Sequence, residues 1–170
     1  MTKKKLIESF AQAIATMEGF YSRSPTRARA NNNPGNLRSW GDVPITAGYA
    51  HFSTADAGWE ALRRQVTKNL FERRLTIGEF FAGKPNVYPG YAPSADRNNP
   101  GHYANFVCHF LNPKFPDDQP FYPGTVLANL PFEEIPVSSQ VRNLAALIVE
   151  NEHSATAPAP ASPTTSHQPR

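Results

Sequence analysis

A chain of 170 residues has room for one domain with its own core and is short for two. Its single cysteine, Cys108, excludes an intramolecular disulfide, and its neighbours Phe106, Val107 and Phe110 read as the setting of a buried, inert thiol. The formal charge of +3 is unevenly spread, with 12 Lys and Arg against 6 Asp and Glu in residues 1–74 and 5 against 8 in residues 75–170, so the N-terminal half suits an anionic partner or is a solvated basic surface.

The chain opens on Met1-Thr-Lys-Lys-Lys, a basic start like that of a signal peptide. The apolar run that should follow is broken by Glu8, Ser9 and Gln12, so a Sec signal is excluded. Nor does any stretch reach the length that spans a bilayer, which argues against membrane insertion. Residues 5–18 read as the first helix, with Leu6, Phe10, Ile14 and Met17 on a broad apolar face and Gly19 as its stop. At 100° per residue, positions 7, 11, 14 and 18 share one side. Glu18 therefore stands where the pattern calls for an apolar residue. A half-buried carboxylic acid resists ionisation, and an acid with a raised pKa at a cleft is what a glycosidase uses as proton donor. The plain alternative is a helix-end Glu pointing into solvent.

Residues 21–35 are polar and basic and read as an ordered loop ending in a turn. Residues 36–40 look like a short strand, Gly41-Asp42 a turn, and 45–52 the returning strand of a small hairpin. Ser53 or Thr54 caps a helix over 55–71 with Trp59, Leu62, Val66 and Leu70 inward. Thr76 opens a short helix, Ile77–Ala82, with Phe80 and Phe81 facing the core. A Tyr-, Pro- and Gly-rich loop over 83–98 follows. Asn99 then caps a helix that starts on Pro100 and carries Tyr103, Phe106, Val107, Phe110 and Leu111. Residues 112–137 are proline-rich but hold Phe115, Phe121, Tyr122, Leu127 and Phe132, as expected of an irregular segment packed on the body. A last helix is expected from Ser138 or Ser139 to about Asn151, which completes one domain over 1–152. The Ala-, Pro-, Ser- and Thr-rich tail 153–170 lacks core residues and reads as disordered. His153 and His167 lie in it, with no sign of a metal site.

Three runs stand out in order: Glu18-Gly19, then Asn32-Asn33-Pro34-Gly35-Asn36-Leu37-Arg38, then Phe52-Ser53-Thr54-Ala55-Asp56-Ala57-Gly58-Trp59-Glu60-Ala61-Leu62. Tyr91-x-Pro93 and Asn98-Asn99-Pro100-x-x-Tyr103 extend the series. Over about residues 6–112 the chain resembles phage and prophage lysozyme-like muramidases. The resemblance implies a mostly α (α+β) lysozyme-like fold, with helices around a small β-hairpin and a cleft. It also implies cleavage of the β-1,4 bond between N-acetylmuramic acid and N-acetylglucosamine in peptidoglycan, without metal or other cofactor. Glu18 matches the catalytic acid.

Two endings are open. A hydrolase needs a second carboxylate or a held water, for which Asp42 and Thr46 on the hairpin are the candidates, although Asp42 also fits a plain turn. A lytic transglycosylase needs Glu18 alone, because the sugar's own 6-hydroxyl completes the reaction, and the lack of a firm second carboxylate leans that way. Asn33, Asn36 and Arg38 either order a turn or orient Glu18 and a substrate amide. Tyr91, Asn99 and Tyr103 are candidates for the sugar groove, with Tyr103 equally suited to the core. The implied partners are glycan strands, with other virion or secretion proteins for delivery. The site of action would be the cell wall, reached from the cytoplasm by virion, holin-type pore or secretion system. A non-catalytic wall-binding or virion structural module with the same fold is the alternative. Nucleic-acid binding has only the basic half behind it, without aromatic–basic interleaving or a helix-turn-helix pattern.

Overall fold

The computed structural model describes residues 1–133. The helix expected over 138–151 and the tail 153–170, with His153 and His167, lie outside the described residues. Residues Met1–Glu133 form one mostly helical α+β unit with a single two-stranded antiparallel sheet among the described residues.

The central element is α1, Lys3–Met17. It starts earlier than the apolar pattern suggests, because the Thr2 hydroxyl accepts from Lys5 N–H at 3.2 Å and caps the first turn. Leu6, Phe10 and Ile14 are buried as expected, but so are Ser9, Ala13 and Ala15. Small side chains at those positions let neighbours approach from more than one side, and α1 packs against both α3 and α5. The helix ends in a Schellman turn. Gly19 N–H donates to Thr16 O at 3.1 Å, Phe20 N–H donates to Ala15 O at 2.9 Å, and Gly19 takes the left-handed φ of +73° that this turn requires. The backbone therefore swings away directly after Glu18 and leaves its side chain at the helix end.

A single helical turn, α2 (Arg27–Ala30), interrupts the stretch expected to be loop. Thr26 caps it by accepting from Arg29 N–H at 3.3 Å. The hairpin is smaller than expected: β1 (Ile45–Thr46) pairs with β2 (Tyr49–Ala50), in the register Ile45 to Ala50 and Thr46 to Tyr49. Ala47 and Gly48 have φ of +51° and +79°, the pair of left-handed residues a type I′ turn needs. Residues 36–40 do not form a strand. Asn36 at φ +46° breaks the extended run before it starts, and Leu37 meets the sheet through one bond, Ala50 N–H to Leu37 O at 2.8 Å.

Helix α3 (Ala55–Thr67) is capped by Thr54 and runs on into a π-helical turn, Lys68–Glu72. Trp59 is only half-buried. It packs on the edge of the core and edge-on against Phe20 at 5.6 Å, near Tyr21. Helix α4 (Ile77–Ala82) opens with a capping box between Thr76 and Glu79, and α5 (Pro100–Leu111) opens with Asn99 accepting from His102 N–H at 3.0 Å. Phe10, Phe80 and Phe81 centre the core, with Phe80 edge-on to both others at 5.5 and 5.0 Å. In the segment after α5, Phe115, Phe121 and Leu127 are buried and Phe132 packs partly against the core. Tyr122 does not join them and is 63% exposed. That segment closes over the start of α4, where Ile77 and Gly78 N–H donate to Thr125 and Pro123 O. Cys108 is buried, and burial pushes its thiol up to about 11, so it is inert. No helix among the described residues is long and apolar enough to cross a membrane.

Candidate active site

The Asn-rich run between α2 and the hairpin is a backbone clamp. Asn31 donates from Nδ2 to Thr46 O at 3.3 Å, and its Oδ1 accepts from His51 Nδ1 at 3.2 Å. Asn32, left-handed at φ +49°, donates to Phe52 O at 3.0 Å. Asn33 is fully buried; its Nδ2 reaches Leu37 O at 2.9 Å and Ala50 O at 2.8 Å, and its Oδ1 accepts from Leu37 N–H at 2.9 Å. Short amide side chains that tolerate left-handed backbone and satisfy nearby peptide groups explain this composition. Helix α3 closes the clamp from behind. A Cβ on Gly58 would stand 1.9 Å from Asn32 O and 2.8 Å from Pro34 Cδ, so only glycine allows this approach.

The clamp delivers Asn36 to Glu18. Asn36 Nδ2 donates to Glu18 Oε2 at 2.8 Å. Tyr91 fixes the preceding residue by donating its hydroxyl to Gly35 O, while its ring stacks on Phe80 at 5.3 Å. The Tyr103 phenol, tilted against Phe81, stands by the carboxylate from the α5 side. Glu18 is half-buried. Burial raises its pKa above the ordinary glutamate range, opposed in order by the Asn36 hydrogen bond, the Tyr103 hydroxyl and the Arg27 charge. Its place at the C-terminal end of α1, the negative end of the helix dipole, also disfavours the carboxylate. Glu18 thus holds its proton more tightly than a surface Glu, beside a fixed amide and two phenols.

These groups open on a cleft of about 550 Å³. Its lining includes Glu18, Asn36, Arg38, Tyr91 and Tyr103 from among the sequence candidates. The other candidates lie elsewhere. Asn33 is inside the clamp with its amide satisfied, and Asn99 spends its side chain on the α5 cap, whereas the adjacent Asn98 lines the cleft. Asp42 and Thr46 are exposed on the hairpin side and do not line the cleft. The second carboxylate that does line it is Asp96, which pairs with Arg38 Nη2 at 3.2 Å. Asp96, Trp40, Tyr49 and Asn98 were not singled out from the sequence. Only Asn98 had a local signal, as the first residue of the Asn98-Asn99-Pro100 run; the others are brought in by tertiary folding. Among the described residues no cluster of three or more His, Cys, Asp or Glu is placed to hold a metal.

The Asn36 bond gives a signed prediction. A donor to the charged form lowers the pKa, so removing it lets burial raise Glu18 further. Asn36→Gly keeps the left-handed backbone and deletes the amide. The titration of Glu18, followed by carboxyl NMR, is expected to move to higher pH in Asn36→Gly; a shift to lower pH would mean that Asn36 does not stabilise the carboxylate.

No family model, curated protein or solved structure matches the chain.

Proposed function

We propose that the protein cleaves the β-1,4 bond between N-acetylmuramic acid and N-acetylglucosamine in peptidoglycan, with Glu18 as acid and then base, on a lysozyme-like fold. The observation that carries this reading is the half-buried, amide-anchored Glu18 with a raised pKa at the cleft. The order of helix-end Glu, Asn-Pro-Gly-Asn run and hairpin supports it, as does the shape of the site: an open cleft with Trp40 and tyrosines for sugar faces.

The lytic transglycosylase route suits this site best. Protonated Glu18 gives its proton to the glycosidic oxygen as the C1–O bond breaks. The substrate's own acetamido oxygen steadies the positive charge at C1. Glu18, now a carboxylate, takes the proton of the 6-hydroxyl, whose oxygen bonds to C1 and leaves a 1,6-anhydro end. One titrating carboxylate is enough for this sequence. A hydrolytic ending would draw on Asp96, the other carboxylate of the cleft, which pairs with Arg38. Because Glu18 must start protonated, kcat/KM is expected to fall as pH rises through its raised pKa.

Digestion of purified peptidoglycan in heavy-oxygen water tests the reading. Soluble fragments without label at the new end are expected. Label there would mean hydrolysis. Wall binding with no fragments at all would favour the alternative, a non-catalytic wall-binding or virion structural module.

A further inference from the structure

Arg27 and Arg38 come from opposite ends of the Asn clamp, yet both guanidinium groups lie over one ring, Tyr49 of β2, at 4.3 and 5.5 Å from its centroid. Tyr49 and Arg38 line the cleft, and the Arg27 charge acts on Glu18. Two cations gathered on one aromatic repel each other, and an anion beside them would offset that repulsion. Among the described residues the ion pairs leave Arg27 without a carboxylate partner. Arg38 has only Asp96, held at 3.2 Å with side chains 63% and 41% exposed. An ion pair this open to water is weak, so an incoming carboxylate can displace it. Arg38 on the cleft wall is thus held only by a displaceable Asp96, and Arg27, exposed against the same Tyr49 ring, has no carboxylate of its own among the described residues.

We propose that Arg27, Tyr49 and Arg38 form a carboxylate-binding subsite beside Glu18, which reads the acidic substituent of the glycan, and that Asp96 occupies it when no ligand is bound. This rests on the glycan-cleaving reading. The carboxylate has two possible sources: the lactyl group of a bare muramic acid, or the stem peptide attached there. The subsite selects muramic-acid-containing strands over neutral N-acetylglucosamine polymers.

The test is equilibrium binding to full-length Glu18→Gln protein, which does not turn the ligand over. Three soluble glycan probes are titrated, a neutral N-acetylglucosamine oligomer, a bare N-acetylglucosamine–N-acetylmuramic acid fragment and the same fragment with its stem peptide, and the free stem peptide is titrated alongside them. At least one acidic probe is expected to bind about tenfold tighter than the neutral one, and which one names the carboxylate. Added Arg27→Gln and Arg38→Gln should bring that ratio close to one. Asp96→Asn should tighten the acidic probe by about threefold, a gain that loss of a merely structural ion pair would not produce. Lys4→Gln with Arg64→Gln removes the same charge from exposed helix positions and should leave the ratio in place. Equal binding of all three probes, or an equal loss in the control pair, overturns the subsite and leaves the glycan reading standing. Binding of a free stem peptide without any glycan probe overturns the glycan reading and leaves the subsite. No binding of any probe overturns both.

Discussion

Replacing Glu18 with Gln is expected to lower turnover of purified peptidoglycan by at least about a thousandfold, the scale of a general acid that also returns as base. The fold should survive. Gln keeps the volume and an oxygen that can still accept from Asn36 Nδ2, and it resembles the protonated acid that burial already favours. The stability difference has a definite sign. The folded-state pKa of Glu18 is raised, so its contribution is fully present below the unfolded-state pKa and is lost as pH rises through the folded-state value. Glu18→Gln does not titrate. Its stability relative to the wild type should therefore grow as pH climbs from the usual carboxylate range towards neutrality, read by chemical unfolding at several pH values. A variant that is inactive because it is unfolded would instead lose stability at every pH.

Gly58→Ala, remote from the chemistry, is expected to have the second-largest effect. The added methyl would meet Asn32 O at 1.9 Å, and the Asn32 backbone and the rigid Pro34 ring offer no flexible side chain to yield. Overpacking of this kind costs about 3 kcal/mol. For a domain of this size that lowers Tm by on the order of 10 °C. Activity should fall further than stability alone accounts for, because Asn32 and Pro34 belong to the clamp that aims Asn36 at Glu18. Gly124→Ala is the contrast: its added Cβ meets nothing within 4 Å, so it should leave Tm unchanged. Equal melting of the two variants would mean that α3 and the clamp separate easily and that their close approach does not order the site.

The same residues explain what could be read from the sequence. Helices α1, α3, α4 and α5 were legible because each pairs an apolar repeat with a local end signal, as in the Thr76–Glu79 box or Asn99-Pro100. Glu18 was legible as an exception to such a repeat. No strand forms over 36–40, because apolar alternation cannot report a left-handed Asn36, whose conformation is set by the clamp around it. The one-turn α2 is too short to show periodicity, although its Thr26 cap is a local signal. Asn33 shows the limit for site residues. Its place in a distinctive run suggested contact with substrate, whereas its buried amide holds Leu37 to Ala50. Asp96 reaches the cleft only through tertiary folding, from a segment far from Glu18 in the chain, so no spacing rule pointed to it.

The most direct test of Glu18 as the acid of a glycan-cleaving cleft is mass spectrometry of what the protein releases from purified peptidoglycan. Wild type and Glu18→Gln would be run side by side. The expected result is soluble fragments from the wild type that end in 1,6-anhydro-muramic acid, one water lighter than a hydrolysed reducing end, and none from Glu18→Gln. The same fragments in the same yield from Glu18→Gln, or no fragments from the wild type, would contradict the assignment.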